Sequence, residues 1–338
     1  MTILAILFYT PYMRSLEIID QFRGLSYTQQ RDLLSQLQKT LSFSRPILEH
    51  KVLDGCPYCG NVKLYRHSSY KNGGSRFKCV ECKKTFNELT GTSIHRIHKK
   101  ELLDGFVRLM LESKTIRQIS KELNLSKQTV QNWRHKILTS FNDLFTKEFK
   151  GIVETDDTYF RFNEKGCRNT INSGRKLRGI SNQQVSVMVT MDRYKTIDLR
   201  VVKLGRITKS SLKSKLNLDR FNKSNIIYSD NSRIIKNLFS DLQIEHKTFV
   251  AKNKFNGLVH VQNVNNFTRR LKDWIKLNFN NVSTKYLHNY LNWFMMLEIL
   301  KKTKNQEDNF WKYLLDSNSS YKMFNEIEGN YNNLLLTQ

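Results

Sequence analysis

Residues 151–160 read Gly-Ile-Val-Glu-Thr-Asp-Asp-Thr-Tyr-Phe. Its β-branched and aromatic residues favour a β-strand, yet Glu154, Asp156 and Asp157 place three carboxylates within four positions. Because side chains alternate along a strand, Glu154 and Asp156 should share one face and Asp157 the other. A buried carboxylate needs a cation beside it. One face of the strand therefore predicts half of a divalent-cation site, and an edge strand with solvated acids is the alternative.

The charge balance of the chain indicates a polyanionic partner. Among 338 residues, which suit two or three domains, Lys and Arg outnumber Asp and Glu by 56 to 30, a formal charge of +26. Residues 51–138 alone hold 18 basic and 7 acidic side chains. Nucleic acid is the simplest partner for such an excess. The apolar run 3–9 is too short to span a bilayer and has no signal-peptide pattern, so a cytoplasmic, nucleoid-associated protein is expected.

Four of the five cysteines form two close pairs, Cys56-Pro-Tyr-Cys59 and Cys79-Val-Glu-Cys82, with nineteen residues between them. This spacing predicts a four-cysteine zinc site. Four thiolates leave no open coordination position, so the zinc is expected to be structural. Basic and aromatic residues alternate between the pairs, as in a β-ribbon with Gly73-Gly74 at the hairpin, and this basic module is expected to contact DNA. The fifth cysteine, Cys167, is interpreted as an incidental thiol.

The segment from Lys100 to Leu138 has helical periodicity and fits a helix-turn-helix. One helix is predicted to run through Leu123, and Ser126 is predicted to cap the next. The second helix is predicted to expose side chains that reach phosphates and base edges, namely Lys127, Gln128, Thr129, Gln131, Asn132 and Arg134. An ordinary helical hairpin is the alternative. The adjoining zinc module and the local charge favour DNA binding.

The elements predicted after the opening strand are a loop at 161–182, strands at 185–191 and 196–202, a short helix at 210–216, a strand at 225–230, a helix at 232–242, a helix from 260 and a helix from 283. The strand at 225–230 ends in Asp230. On the helix from 260, Asn265 and Lys272 lie two turns apart on one face, with Arg269 between them. A solvated polar face is the alternative for that helix.

This order of strands, acids and a polar helix is that of an RNase H-like core. Together with the cysteine pairs, it resembles the DDE-type insertion-sequence transposases that carry an N-terminal zinc ribbon, in the branch with the pattern Asp-Asp-Asn-Lys. The segments that carry the resemblance are Cys56–Cys59, Cys79–Cys82, Lys84–Thr92, Val153–Tyr159, Arg178–Asn182, Ile227–Asp230, His260–Asn265 and Ser283–Tyr286.

The resemblance implies a multidomain α+β chain in which a zinc ribbon and a helix-turn-helix precede an α/β RNase H-like catalytic core. The implied divisions are an N-terminal helical segment at 1–50, the zinc ribbon at 51–95, the helix-turn-helix at 96–138, a linker helix at 139–150, the catalytic domain at 151–300 and a C-terminal tail at 301–338.

The resemblance also implies the site residues, which are Asp156, Asp230, Asn265 and Lys272. Asp156, Asp230 and the amide oxygen of Asn265 would hold Mg²⁺ or Mn²⁺, with Asp157 in support. Lys272 would hold a phosphate, and Arg269 would contact DNA. Most relatives have Glu at the third position, so Asn265 brings one charge fewer to the cations.

The implied function is a transposase of a bacterial insertion sequence that cleaves DNA strands and transfers them. Its partners would be the terminal inverted repeats, target DNA and further copies of the chain, in a dimer or larger assembly on DNA. Two alternatives stay open, a DNA-binding regulator and a domesticated transposase that no longer cuts. The acids argue against the first, because a regulator has no need of Asp156 and Asp230.

Overall fold

A computed structural model describes residues 17, 19–37, 53–69, 75–142, 147–165, 177–248, 260–317 and 320–336. Its strands are β1 (Leu64–Ser69), β2 (Ser75–Cys79), β3 (Thr85–Phe86), β4 (Ile152–Arg161), β5 (Gln184–Asp192), β6 (Ile197–Leu204), β7 (Ile226–Ser229) and β8 (Glu245–Thr248). Its helices from residue 103 onward are α1 (Leu103–Leu111), α2 (Ile116–Glu122), α3 (Lys127–Leu138), α4 (Lys209–Lys215), α5 (Arg233–Asp241), α6 (Gln262–Phe279), α7 (Leu287–Leu300), α8 (Gln306–Asp316) and α9 (Ser320–Leu335). Cys167, Gly73-Gly74 and most of the predicted loop at 161–182 lie outside the described residues.

A mixed five-stranded sheet with the order β6-β5-β4-β7-β8 forms the centre of the fold. Strands β4, β5 and β6 make an antiparallel meander, and β7 and β8 run parallel to β4. Val153 of β4 pairs with Ile227 of β7. The strands and helices predicted between 151 and 242 are confirmed, with shifts of one or two residues at their ends. Strand β8 was not predicted from the sequence.

Helices cover both faces of this sheet. One face carries a compact core in which Val153 and Ile227 pack against α4 and α5. On the other face, a larger core joins the sheet to α6, α7 and α8 and also contains the helix-turn-helix. Trp133 of α3 and Trp293 of α7 belong to this shared core. The helix-turn-helix is therefore packed onto the strand-and-helix body.

The helix-turn-helix has the predicted boundaries and caps. The side chain of Ser126 accepts a hydrogen bond from the backbone N–H of Thr129 at the start of α3. Asn124 takes a left-handed conformation (φ 50°) in the turn, which asparagine tolerates better than most residues. Thr115 and Gln118 form a capping box at the start of α2.

Three predictions about the flanking segments need correction. Within the described part of the N-terminal segment, which was predicted to be helical, residues 19–23 and 27–37 are helical and the helix breaks between them at Gly24. In the linker helix predicted at 139–150, residues Thr139–Phe141 form a 3-10 turn and residues 147–150 are not helical, whereas residues 143–146 lie outside the described residues. The predicted C-terminal tail holds α8 and α9, and Phe310 and Trp311 of α8 are buried in the larger core. In the part of the chain that the structure describes, no helix is long and apolar enough to cross a membrane.

Candidate metal centres and nucleic-acid interface

The two cysteine pairs converge at one end of the three-stranded sheet β1-β2-β3. The four sulfur atoms all lie within 4.8 Å of one another, and Cys56 to Cys82 and Cys59 to Cys79 are separated by 3.6 and 3.5 Å. Tetrahedral zinc with bonds of about 2.3 Å places its sulfur ligands roughly 3.8 Å apart. Although burial works in the opposite direction, hydrogen bonds from the backbone N–H groups of Cys82 and Glu81 lower the pKa of the Cys79 thiol to about 7. The cysteine cluster therefore fits a structural zinc ion.

A second cluster lies where β4 and β7 separate. Carboxylate oxygens of Asp156, Asp157 and Asp230 lie within 4.8 Å of one another. Asp156 and Asp157 are half-buried, and Asp230 is exposed. Oxygen ligands with a combined negative charge are the ligands that Mg²⁺ and Mn²⁺ prefer. The cluster therefore has the composition of a divalent-cation site.

Asp157 belongs to this cluster although strand alternation predicts that it points away from Asp156. The paired residues of β4 and β7 end at Glu154 and Tyr228, so beyond that point one edge of β4 is open. The backbone N–H of Asp157 donates to Oδ1 of Asp156 at 2.9 Å. Side chains from both faces can reach around an open edge to one point, and the alternation rule does not describe this. The prediction that Asp157 takes the other face of the strand is corrected accordingly.

Burial and mutual repulsion raise the pKa values of two carboxylates in this cluster. Burial, followed by the charges of Asp157 and Asp230, raises the pKa of Asp156 to about 6. Burial and the charge of Asp157 also raise the pKa of Asp230. Tyr159 donates its hydroxyl hydrogen to Oδ2 of Asp157 at 2.5 Å, which leaves the other oxygen of Asp157 for a ligand. Carboxylates held together in this way favour a bound cation.

Glu154 takes a different part from the predicted one. Its side chain is 1% exposed, and it accepts hydrogen bonds from the backbone N–H groups of Asn263 and Val264 at 3.0 and 3.4 Å. The side-chain amide of Asn263 donates a third hydrogen bond at 2.6 Å. Glu154 thus satisfies the free N–H groups at the start of α6. It does not belong to the carboxylate cluster that the sequence analysis assigned to its face of the strand.

Helix α6 packs on the sheet and contains the other predicted site residues, Asn265, Arg269 and Lys272. Lys272 lies close enough to Asp156 for that carboxylate to raise its pKa, against a larger lowering by burial, and its Nζ lies 5.8 Å from the centre of the Phe160 ring. Asn265 and Arg269 are exposed on α6. At about 100° per residue, Asn265 and Lys272 lie within about 20° on one side of the helix.

The side chains that were predicted to be exposed on α3 differ in their burial. Lys127 and Gln128 are exposed, and Gln131 is half-buried. Arg134, however, is fully buried: it donates to the backbone carbonyl of Lys114 at 2.5 Å, and its guanidinium lies 4.9 Å from the centre of a Trp293 ring. The second half of α3 enters the shared core, so the prediction that Arg134 contacts DNA is wrong.

Comparisons with known proteins fit this geometry. Residues 148–295 match the model of the ISXO2-like transposase domain. A protein of transposable element ISH50 from Halobacterium salinarum, described as uncharacterized, is 27% identical over 233 residues, which are 65% of this chain and 77% of that protein.

Two solved assemblies also align with part of the chain. A pre-cleavage Mos1 transpososome is 13% identical, with a TM-score of 0.26 over 65% of this chain and 77% of that one. A simian T-cell lymphotropic virus intasome in complex with PP2A regulatory subunit B56 gamma is 15% identical, with a TM-score of 0.29 over 56% and 66%. The matched model and the transposon-encoded relative together show that residues 148–295 form a DDE-type transposase domain.

Proposed function

We propose that this protein cleaves DNA strands at the ends of an insertion sequence and joins them to target DNA, in a reaction that needs divalent cations. The observation that carries the proposal is the meeting of Asp156, Asp157 and Asp230 within 4.8 Å inside the matched transposase domain. The sheet order β6-β5-β4-β7-β8, with only β5 antiparallel to the other strands, supports an RNase H-like core.

The chain's own residues suit phosphoryl transfer, which needs positioning and charge stabilisation more than covalent chemistry. Bound Mg²⁺ or Mn²⁺ would supply an activated attacking oxygen and stabilise the leaving one. Asp156, Asp157 and Asp230 would hold the cations, together with the amide oxygen of Asn265. Lys272, beside Asp156, would hold a DNA phosphate.

The N-terminal half of the protein would hold the ends of the element. The exposed side chains of Lys127 and Gln128 on α3, together with Gln131, would contact phosphates and base edges. Arg269, exposed on α6, would contact the DNA near the carboxylate cluster. A zinc ion on the four cysteines would hold the basic ribbon in shape, because small modules of this kind lack a sufficient core of their own.

Strand cleavage of a duplex that carries the DNA flanking this gene tests the proposal. The parent protein should cut in Mg²⁺ or Mn²⁺, and Asp156→Asn and Asp230→Asn should abolish cutting. Asp241→Asn is the matched control, because Asp241 lies on α5 and pairs with Lys209 and Lys213. Equal cutting by the parent and the two cluster variants would overturn the proposal.

Substitutions at Asn265 distinguish an active transposase from one that binds DNA without cutting it. Loss of cutting in Asn265→Ala would support its part as a cation ligand. An inert parent whose activity returns in Asn265→Glu would show instead that the chain is a decayed enzyme, since Glu restores the charge that Asn lacks.

A further inference from the structure

A basic cleft lies beside the carboxylate cluster, between the β5–β6 turn, α6 and the C-terminal end of α7. Its volume is about 540 Å³, within the range of about 300–1,000 Å³ that is usual for ligand sites. The basic and amide side chains that line it include Arg193, Lys195, Asn266, Arg270, Lys301 and Lys302. No sequence motif pointed to it, because its residues come from three separate segments of the chain.

The cleft holds more positive charge than its own acids neutralise. Asp192 is buried and accepts hydrogen bonds from the backbone N–H groups of Lys150 and Thr196. Glu298 pairs with both Arg270 and Lys301. Within the described residues, no carboxylate forms an ion pair with Lys195 or Lys302, and both side chains are exposed. The rim of the cleft is therefore a surface of uncompensated positive charge.

Helix α6 stands between the cleft and the carboxylate cluster. At about 100° per residue, Asn266 and Arg270 project roughly 100° to 140° around the helix from Asn265. One side of α6 therefore carries Asn265 and Lys272, and the other lines the cleft. Asp192, at the cleft, pairs with Val153, which precedes Asp156 by three residues, so roughly 10 Å of strand separates the two sites.

We propose that this cleft is a second DNA-binding site, which holds the phosphodiester backbone of the DNA that passes over α6 to the carboxylate cluster. The proposal rests on the proposed function and adds a path for the DNA to it. Lys195 and Lys302 bind phosphate oxygens at the rim. Tyr194 is 74% exposed in the β5–β6 turn and offers a ring on which a base can stack.

The test measures DNA affinity against salt for Lys195→Ala/Lys302→Ala, without added divalent cation. The matched control is Lys223→Ala/Lys236→Ala, which removes the same charge from exposed positions next to β7 and on α5, at the opposite face of the sheet. Each phosphate contact contributes about 0.9 to the slope of log affinity against log salt. The cleft variant should therefore lower the slope by about 2, and the control should leave it near that of the parent.

Two labelled duplexes distinguish the sources of the DNA. One carries the DNA flanking this gene and the other an unrelated sequence of equal length. A slope lowered only on the first assigns the cleft to the element's end, and a slope lowered only on the second assigns it to target DNA. Equal slopes for the cleft variant and the parent on both duplexes would overturn the proposal. A parent that binds without cutting would contradict the proposed function alone, because this assay needs no turnover.

Discussion

The carboxylate of Glu154 accepts hydrogen bonds from both the backbone N–H and the side-chain amide of Asn263, and so fixes the start of α6 on strand β4. Glu154 precedes Asp156 by two residues, and Asn263 precedes Asn265 by two. One buried contact thereby sets the distance between the strand that carries the carboxylate cluster and the helix that carries Asn265 and Lys272.

Glu154→Gln should destabilise the protein, because an amide presents N–H to donors that need an acceptor. We expect the free energy of unfolding to fall by about 1–3 kcal/mol, measured by denaturant unfolding. Glu148→Gln is the matched control at an exposed position close by in the sequence. Equal stabilities of the two variants would show that Glu154 does not hold α6.

The cysteine cluster should contain one zinc ion per chain. Cys79→Ser should lose it, whereas Cys167→Ser, which alters the cysteine outside the two pairs, should keep it. Elemental analysis of the purified variants measures this directly. Chelation of the parent should unfold the zinc ribbon before the rest of the chain, because the metal supplies much of that module's folding energy. A zinc-free parent with an intact ribbon would contradict this prediction.

Arg134 and Lys127 lie seven residues apart on α3 and should behave in opposite ways. Arg134→Ala removes a buried hydrogen bond and a cation–ring contact, so the free energy of unfolding should fall by about 2–3 kcal/mol. Lys127→Ala should leave stability unchanged within about 0.5 kcal/mol and lower the salt slope of DNA binding by about 1. Equal stabilities with equal losses of DNA affinity would place Arg134 on the DNA surface after all.

Stability should decrease as the pH falls below the ordinary histidine pKa of 6.5. Burial, with the charges of Arg134 and Lys285, lowers the pKa of His135 well below 6.5, and burial with Arg200 lowers the pKa of His288 to about 4. Below pH 6.5 these histidines bind protons in the unfolded chain but stay neutral in the folded protein. Unfolding therefore becomes more favourable as the pH falls. The loss attributable to His288 spans pH 6.5 to about 4.

Asp156, with its raised pKa, acts in the opposite direction, so the histidine contribution is measured by difference. Melting temperatures of the parent and His288→Gln are compared from pH 7 to pH 4, with His67→Gln as the control because His67 is exposed. His288→Gln should lose less stability than the parent over this range, and His67→Gln should follow the parent. Parallel curves for all three proteins would contradict the assignment.

Local patterns were enough to predict a large part of this fold. The spacing of the cysteine pairs predicted their cluster, and the Ser126 cap predicted the start of α3. The meander of β4, β5 and β6 followed from apolar runs and turn residues. Each of these features depends on residues that are close together in the sequence, so the sequence alone is enough to predict it.

Long-range packing decided the features that were missed. Arg134 has the spacing of an exposed recognition residue, and only the approach of Trp293 from α7 buries it. In the sequence, Glu154 cannot be told apart from the neighbouring acids, and only its hydrogen bond with the backbone N–H of Asn263 at the start of α6 distinguishes it. Asp157 joins Asp156 because β7 ends and leaves one edge of β4 open. Each outcome depends on a contact between residues more than fifty positions apart or on where a pairing strand ends.

If Asp156, Asp157 and Asp230 form one cation site, all three should contribute to Mn²⁺ binding, which electron paramagnetic resonance measures directly on the zinc-loaded protein. Asp156→Asn, Asp157→Asn and Asp230→Asn should each weaken Mn²⁺ binding, whereas Asp241→Asn should bind like the parent. Asp156→Asn should weaken it most, because the charges of both Asp157 and Asp230 act on the carboxylate of Asp156. Unchanged Mn²⁺ affinity in all three cluster variants would contradict the account.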